Sequence, residues 1–439
     1  MSFNTALSGL NAASTMLNTI GNNIANSGTT GFKKSRAEFA DVYATSVGGG
    51  GKTTVGSGVA TANVAQLFQQ GNIQSTGNTL DLAVSGEGFF VLGDSVINSS
   101  ERVYTRAGMF HTDNQGYVVS NNGQPLLVQQ PLGSTVADGF NPLQLQPLQI
   151  DSSQSEPQAT TAVSVGFNLD ARKEAPATAF SGPVSGVVDP NTYTHGTSVT
   201  VYDSLGNAHT FSQYFVSKND LAATPPVVNS WSVYSYIDDT QVTTAASAGG
   251  PPPSDTLTFD TSGNLASING TAVATGGSKL AYTSTTIAPN ADPMTVSLDL
   301  GNSTQIGSDF VVSALTQDGL ASGRLSSIDI DDSGTVFARF SNGANEPLGR
   351  VALVRFDNPQ GLAKLGDTQW GETASSGAPK QGSAGVGGFG DIASSSLESA
   401  NVELAAELVN LIIAQQAYQA NAKAISTENE TIRSLMQIQ

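Results

Sequence analysis

Both ends of the chain carry a helical pattern of apolar residues, and each pattern runs close to its terminus. Near the N-terminus the pattern steps by three and four residues through Phe3, Ala6, Leu10, Ala13, Leu17, Ile20 and Ile24. Near the C-terminus it runs through Leu397, Asn401, Leu404, Leu408, Leu411, Gln415, Tyr418, Ala422, Ile425, Asn429, Ile432 and Met436. Such spacing places an apolar stripe on one side of a helix, and the stripe needs a partner. The pattern predicts two long helices that pair with each other or with other molecules.

The segments next to the two stripes predict connectors rather than packed structure. The first helix should run from about Ser2 to Ala25, because Asn26-Ser27-Gly28 offers a C-terminal stop. Residues 26–70 contain four consecutive glycines at 48–51 and read as an irregular connector. Residues 375–391 are rich in Gly, Ser and Ala and read as a flexible linker into a helical segment at 392–439.

The body between the connectors has the pattern of β structure. Alternating or short apolar runs occur at 79–92 and 350–356. Type I turns favour Asp at the first position and Gly at the fourth, because the Asp side chain caps the turn. Four segments share this signature and predict hairpins: Asp113–Gly116, Asp203–Gly206, Asp260–Gly263 and Asp331–Gly334.

A shift in composition divides the body into nested parts. Between about 150 and 307 the chain becomes rich in Ser, Thr, Ala and Pro, which predicts an inserted outer β domain. Residues 71–149 and 308–374 would then form one discontinuous inner β domain. The predicted fold class is a mainly β body of nested domains, with helices at 1–25 and 392–439 that form a coiled-coil-like assembly core.

Composition excludes several classes of function. The chain has 36 acidic and 18 basic residues, so it lacks the basic surface that nucleic acids or anionic membranes require. It has no cysteine, which excludes disulfides and thiolate chemistry. The most apolar run, 408–414, is far shorter than the roughly 20 residues that span a bilayer. Residues 1–32 carry no charge, so the basic region of a cleavable signal peptide is missing.

No catalytic, metal or cofactor site is predicted. Asp329–Gly334 resembles the start of a calcium loop, but Phe340 stands where a bidentate Glu is required, so we interpret it as a hairpin turn. Gly86-Glu87-Gly88 is a lone pair of glycines without a following helix and reads as a turn. A dispersed Ser, His and Asp triad stays open as an alternative, although no nucleophile-elbow motif supports it. The histidines lack metal-ligand spacing, and they are His111, His195 and His209.

The two stripes have two interpretations. Amphipathic helices usually cover the core of their own domain, whereas Gly-rich connectors, an uncharged first helix and polar Gln415 and Asn429 in the second stripe favour self-assembly. On the second interpretation the assembly residues are Phe3, Leu10, Leu17, Ile20, Ile24, Leu404, Leu408, Leu411, Tyr418, Ile425 and Ile432.

Several motifs, in this order along the chain, resemble bacterial flagellar rod and hook axial proteins. The N-terminal match is NNIAN at 22–26 followed by TTGFK at 29–33, with Asn22, Asn23, Asn26, Thr30, Gly31 and Phe32 as motif residues. Further matches are LDLAV at 80–84, GEGFF at 86–90, YTRAG at 104–108 and the helical segments 407–410 and 418–421. The insertion of roughly 150 residues, together with 358–362 and Trp370, is more similar to the hook members than to the shorter rod members.

The resemblance implies a secreted structural subunit that the flagellar type III apparatus exports unfolded. The subunit would polymerise into a short, curved, hollow tube that passes torque from rod to filament as a universal joint. Implied partners are further copies of the chain, the distal rod protein, the hook cap, the hook–filament junction protein and the export apparatus, with no nucleic acid, membrane insertion or cofactor. The alternatives are a distal rod or hook-associated junction protein and, in another class, a secreted β-rich adhesin or enzyme.

Overall fold

The chain divides into two compact units in a computed structural model. The first unit comprises Met1–Ser152, Ser326–Arg339 and Asn345–Gln439, and the second comprises Ser153–Leu325 and Phe340–Ala344. The structure describes residues 3–42, 56–96, 101–151, 154–184, 186–220, 224, 227–245, 247, 252–273, 279–283 and 290–437.

Long helices stand at the two ends of the chain, and the rest of the described structure is mainly β. Helix α1 is Phe3–Ala25 and helix α2 is Leu404–Gln437. The predicted fold class, a β body with long terminal helices, is confirmed. Within the described residues, neither helix is long and apolar enough to cross a membrane.

The strands that precede the second unit are β1 (Ser35–Asp41), β2 (Val59–Gln66), β3 (Ile73–Ser75), β4 (Leu82–Ser85), β5 (Phe89–Gly93), β6 (Arg102–Thr105), β7 (Phe110–Thr112), β8 (Val118–Ser120), β9 (Leu127–Pro131) and β10 (Phe140–Pro147). Those of the second unit are β11 (Ala162–Asp170), β12 (His195–Tyr202), β13 (Ala208–Ser217), β14 (Ser230–Ile237), β15 (Thr240–Val242), β16 (Asp255–Phe259), β17 (Leu265–Ile268), β18 (Thr271–Ala272), β19 (Lys279–Ala281), β20 (Ser297–Asp299), β21 (Thr304–Ile306) and β22 (Val311–Gln317). The remaining strands are β23 (Leu325–Ile330), β24 (Thr335–Phe340), β25 (Asn345–Val351), β26 (Leu353–Arg355), β27 (Ala363–Gly366), β28 (Gln369–Gly371), β29 (Lys380–Gly382), β30 (Asp391–Ser394) and β31 (Ser396–Glu398).

The first unit is built from strands that come from both halves of the chain. Its larger sheets have the orders β10-β9-β25-β24-β23 and β27-β28-β6-β5-β26-β29. An aromatic core lies against the second of these sheets, and its rings meet edge to face at centroid distances of 4.9–6.2 Å. Such contacts fix side-chain orientation as well as burying apolar area. The rings are Phe68, Phe89, Tyr104, Phe356 and Trp370.

The second unit contains two sheets around a large apolar core. One sheet has the order β12-β13-β14-β16-β17-β18, and the other has the order β19-β20-β11-β21 with β22 paired to β11. Alternate residues of β13 are buried, among them Phe211 and Phe215, as expected for a strand with one face on a core. Strand β22, which falls in the range 308–374 predicted for the inner domain, thus pairs within the second unit. The fourfold domain division stays a prediction.

The four Asp-x-x-Gly turns join neighbouring strands with one geometry. In each, the Gly N–H donates to the Asp carbonyl at 2.9–3.2 Å, and the following N–H donates to the Asp carboxylate at 2.8 Å. Each Gly has φ between 77 and 85°, in the left-handed region that favours glycine. The predicted hairpins are confirmed, including Asp331–Gly334 in place of a calcium loop.

The prediction of irregular connectors is wrong. Within 26–70, β1 and β2 form an antiparallel hairpin, while 43–55, which include the glycine run, lie outside the described residues. Within 375–391, β29 pairs with β26, Ser376 is fully buried, and Gly382 packs against the ring of Phe389. The start of the C-terminal helix at 392 is also wrong, because β30 and β31 pair with β4 and β3 before α2 begins. Glycine lets the backbone approach its neighbours closely at Gly382 and Gly390, so at these positions it reflects packing rather than flexibility.

Candidate functional site at the paired terminal helices

Helices α1 and α2 pack against each other and run antiparallel. At their base, the Gly31 N–H donates to the Glu398 carbonyl at 2.8 Å, shortly after α1 ends and before α2 begins. Further along, Gly9 lies so close to Asn421 that an added Cβ would be 2.7 Å from the Asn421 Oδ1 atom. A side chain at Gly9 would therefore require the Asn421 side chain to shift.

The side of α1 that becomes buried carries mostly small residues. Ala6, Ala13 and Ile20 of the predicted stripe are buried, and Ala12 and Thr19 are buried next to them. The larger members of the stripe are half-buried, and they are Leu10, Leu17 and Ile24. Phe3 is exposed at 43%.

Helix α2 turns toward α1 a side that the heptad pattern only partly predicts. Glu407 and Ala414 are buried, and Leu411 and Ile425 of the predicted stripe are half-buried. The first turns of α2 are apolar almost all round, so spacing alone does not select one face. The other residues assigned to the stripe as assembly residues are exposed, and they are Leu404, Leu408, Tyr418 and Ile432.

The opposite side of α2 presents an apolar surface to solvent. Leu408, Val409, Ile412 and Ile413 are 50–56% exposed, and each lies one, three or four residues from at least two of the others, hence close to them on the helix. We call these four residues the open face. Contiguous exposed apolar patches of this kind mark interaction sites in soluble proteins.

The end of α2 extends beyond α1. With 34 residues against 23, α2 is longer by about 16 Å at 1.5 Å per residue. Ile432 and Met436 continue the side that faces α1, yet they are 44% and 74% exposed. The α1-facing stripe of α2 thus continues beyond the first described residue of α1, and its last members have no contact with α1 that buries them.

The N-terminal motif residues lie at the base of the helix pair and hold it in place. Asn23 is buried, donates to the Ser35 carbonyl at 2.8 Å and accepts from the Ser35 N–H at 2.9 Å. Gly31 has φ 70°, and an added Cβ would lie 2.5 Å from the Ala107 nitrogen. The motif thus reflects backbone geometry at this junction. Its other members cap or flank the turn after α1: Asn22 accepts from Asn26, and Thr30 and Phe32 are half-buried.

Two features of this junction are absent from the sequence predictions. Asn401, assigned to the helical stripe, precedes α2 and donates to the carbonyls of Leu67 and Gln69 at 2.8 and 2.9 Å. Lys33, Arg106 and Glu398 form a buried charge cluster. The sparse charge of the chain is the one sequence signal for this cluster, since Lys33 stands beside Lys34 and nothing local marks it as buried.

Four family models match along the chain in the order that the motifs suggest. "Flagella basal body rod protein" matches 3–33, and "Flagellar hook protein FlgE/F/G D1 domain" matches 83–167. "Flagellar basal body protein FlaE D2 domain" matches 168–320, and "Flagellar basal body rod FlgEFG protein C-terminal" matches 393–438.

Whole-length relatives decide between the hook and the other axial proteins. The flagellar hook protein FlgE of Salmonella typhimurium is 38% identical over 443 residues, and the whole of both chains is covered. The chain belongs to the flagellar hook protein family. FlgE of Escherichia coli K12 is 37% identical with the same coverage, and FlgE of Borreliella burgdorferi is 32% identical over 98% of each chain.

The solved structure of a hook protein supports the fold. The crystal structure of Helicobacter pylori flagellar hook protein FlgE2 is similar with a TM-score of 0.52 and 18% identity. The match covers 74% of this chain and all of that one. The family is one of structural flagellar hook proteins, which favours the hook interpretation over a rod or junction protein and gives no support to an enzyme.

Proposed function

We propose that this chain is the subunit of a flagellar hook and polymerises through its paired terminal helices. The polymer would be the curved, hollow tube that joins the rod to the filament and passes torque between them as a universal joint. Full-length similarity to hook proteins supports the identity of the assembly. The open face of α2 is the single observation that carries the role of the helices.

The open face supplies apolar area whose burial would favour association. Complete burial of a Val, Leu or Ile side chain is worth about 1.5–3 kcal/mol, and these four side chains are about half exposed. Covering them would therefore contribute about 3–6 kcal/mol per subunit. The exposed end of the α1-facing stripe, at Ile432 and Met436, adds to this surface. Neighbouring copies of the helix pair are the partners whose apolar stripes fit it.

The assembly residues named from the sequence are part of this proposal. Those at the α1–α2 contact would hold the pair together, and the exposed ones, such as Phe3, Leu404 and Leu408, would contact neighbours. Export through the flagellar type III apparatus without a cleaved signal, and an extracellular location on the flagellum, follow the same proposal. So do the distal rod protein, hook cap and hook–filament junction protein as partners.

An uncharged polar stripe on α1 fits the wall of a channel. Asn4, Asn11, Asn18 and Asn22 are exposed, and α1 has no charged residue. A face of this kind would form no ion pairs with a chain that passes along it. Replacing Asn4, Asn11 and Asn18 by Lys should lower export of later flagellar subunits through assembled hooks. Unchanged export would remove the stripe from the channel.

Polymerisation of purified variants tests the proposal. Replacing Val409, Ile412 and Ile413 by Ser removes most of the open face, and we expect no tubes by negative-stain microscopy and no pelletable polymer. The matched control replaces the exposed Ala405, Ala406 and Ala420 of the same helix by Ser. The control loses more helix propensity but little apolar area, so it should still polymerise. Polymers of normal yield from the first variant would contradict the proposal.

A further inference from the structure

A carboxylate without solvent contact joins the two ends of the first unit. Glu398, at the end of β31, is 0% exposed and accepts from the Lys33 Nζ atom at 2.5 Å and from the Arg106 Nη1 atom at 3.2 Å. Its Oε1 atom also accepts from the Gly71 N–H at 2.8 Å. Lys33 and Arg106 are themselves 1% and 5% exposed. Three charged groups thus share one site that is shielded from solvent.

The charges in this cluster do not balance. Arg106 and Glu398 are a neutral pair, and both belong to the β body: Arg106 also donates to the Gly86 carbonyl at 2.7 Å, and Glu398 lies in a paired strand. Lys33 is the additional cation. Burial lowers the pKa of the Lys33 ammonium, although Glu398 opposes that shift. Because removing one partner of a buried pair is costly and leaving a neutral pair is not, the body needs Glu398 more than it needs Lys33.

Backbone hydrogen bonds hold the C-terminal segment to the body more extensively than they hold the N-terminal segment. The C-terminal segment enters the body as two strands, β30 beside β4 and β31 beside β3. The N-terminal segment Thr29–Lys34 forms no strand and is held by a few single bonds. The Gly31 N–H donates to the Glu398 carbonyl at 2.8 Å, the Lys34 N–H donates to the Asn401 Oδ1 atom at 2.8 Å, and the Lys34 carbonyl accepts from the Leu67 N–H at 2.9 Å.

Side chains of the body are arranged to receive this segment. The Lys33 Nζ atom bonds both the Glu398 carboxylate and the Gln69 carbonyl, the latter at 2.9 Å. Asn401 bonds that same carbonyl and also the Lys34 backbone, so the cleft presents one carboxylate, one carbonyl and one amide to a Gly-x-Lys peptide. Gly31 fits because a side chain there would strike the backbone at Ala107.

We propose that Thr29–Lys34 is a latch that closes on a preformed cleft of the β body, with Lys33 as the residue that holds it shut. The latch opens while the body stays folded. Opening frees the link between α1 and the body, and closing fixes the base of the helix pair. The ligand of the cleft is this segment of the same chain, recognised by its lysine ammonium and by the backbone at Gly31 and Lys34.

Hydrogen exchange in the full-length monomer tests the latch without any substitution. The amides of Gly31 and Lys34 should exchange through an opening that leaves the amides of β4 and β30 protected. After correction for the intrinsic exchange rates, equal protection of all these amides would overturn the proposal, because the segment would then open only when the body unfolds.

Three variants separate the latch from the body. Lys33→Met should speed exchange at Gly31 and Lys34 at least about tenfold and leave β4 and β30 unchanged, because a hydrogen bond to a charged group is lost. Lys34→Met, one residue on, is the matched control and should change exchange less than about twofold, since the backbone of Lys34 makes the contacts. Glu398→Gln should speed exchange in the latch and in the body.

The contrary outcomes are equally specific. Lys33→Met that leaves the latch amides as slow as in the wild type would remove Lys33 from the role. Lys33→Met that exposes β4 and β30, or that fails to fold, would show that the segment is an integral part of the body. Glu398→Gln that leaves the body protected would contradict the charge balance on which the latch depends.

Discussion

The β core of the second unit and the terminal helix pair bury opposite kinds of side chain. In the core, Phe215 and Trp231 are fully buried. In the helix pair, Ala13 and Ala414 are buried and Ile412 is 53% exposed. A core is complete when its large apolar side chains are buried. When small side chains are buried and large apolar ones are exposed, apolar area stays available for contact with another molecule.

This difference indicates that the second unit contributes to stability and the helix pair to assembly. The second unit holds its own shape, because its apolar residues already have partners within one chain. The helix pair buries mostly small residues together with Ile20, and it leaves the four apolar side chains of the open face about half exposed. Substitutions in the two regions should therefore affect different measurements, stability in one and assembly in the other.

Phe215→Ala should have the largest effect on stability. The Phe215 ring packs against Phe167 at a centroid distance of 4.5 Å, and its removal leaves a cavity in a closed core. Such truncations cost about 3–5 kcal/mol. Urea unfolding, followed by the fluorescence of Trp231 in a Trp370→Phe background, measures the second unit alone, because the two tryptophans lie in different units.

Ile412→Ala is the counterpart in the helix pair. Its side chain is half exposed in the monomer, so we expect a change in unfolding free energy of less than about 0.5 kcal/mol. The critical concentration for polymerisation should rise instead. A variant that unfolds easily yet polymerises normally would break the comparison between the two regions.

Gly31→Ala tests the junction that joins the helix pair to the body. At φ 70° and 2.5 Å from the Ala107 nitrogen, the new methyl group forces the turn to move, at a cost of about 1–3 kcal/mol. Limited proteolysis after residue 26 should become faster. Gly28→Ala is the matched control, since an added Cβ there meets nothing within 4 Å. Equal proteolysis of both variants would contradict the close approach at Gly31.

The smallest expected effect is a pH dependence confined to the second unit. Burial lowers the pKa of His209, but its hydrogen bonds to Asp238 at 2.8 Å and Asp203 at 3.4 Å outweigh that and raise the pKa. A raised pKa stabilises the fold below about pH 6.5, and the contribution disappears as the pH rises through the folded value. In the Trp231 unfolding assay, the stability at pH 6 relative to that at pH 8.5 should therefore be higher for the wild type than for His209→Gln. The comparison is made with the wild type because burial lowers the pKa of His195 in the same unit, which has the opposite effect on stability. An equal pH dependence in the two chains would contradict the contribution of His209.

Local signals in the sequence predict much of this fold. Turn chemistry predicts all four Asp-x-x-Gly hairpins, because the Asp cap and the Gly φ requirement act over four residues. The end of α1 is likewise marked by local signals, because the polar residues Asn26 and Ser27 follow it, although the left-handed glycine is Gly31 rather than Gly28. Sequence order and motif spacing also indicate the axial protein family.

Long-range contacts account for what the sequence does not predict. A glycine in a linker and a glycine such as Gly382, packed under an aromatic ring, look alike in one sequence. The face of α2 that meets α1 depends on Gly9 and Asn421, which lie over 400 residues apart along the chain. Glu398 pairs with Lys33 and Arg106 across similar separations, so no local pattern reveals the cluster.

Hydroxyl-radical footprinting of monomer and polymer tests the central claim most directly, namely that other copies of the chain cover the open face. The account predicts that oxidation of Leu408, Val409, Ile412 and Ile413 falls several-fold on polymerisation, while Phe215 stays protected in both states. Equal oxidation of the open face in monomer and polymer would contradict it.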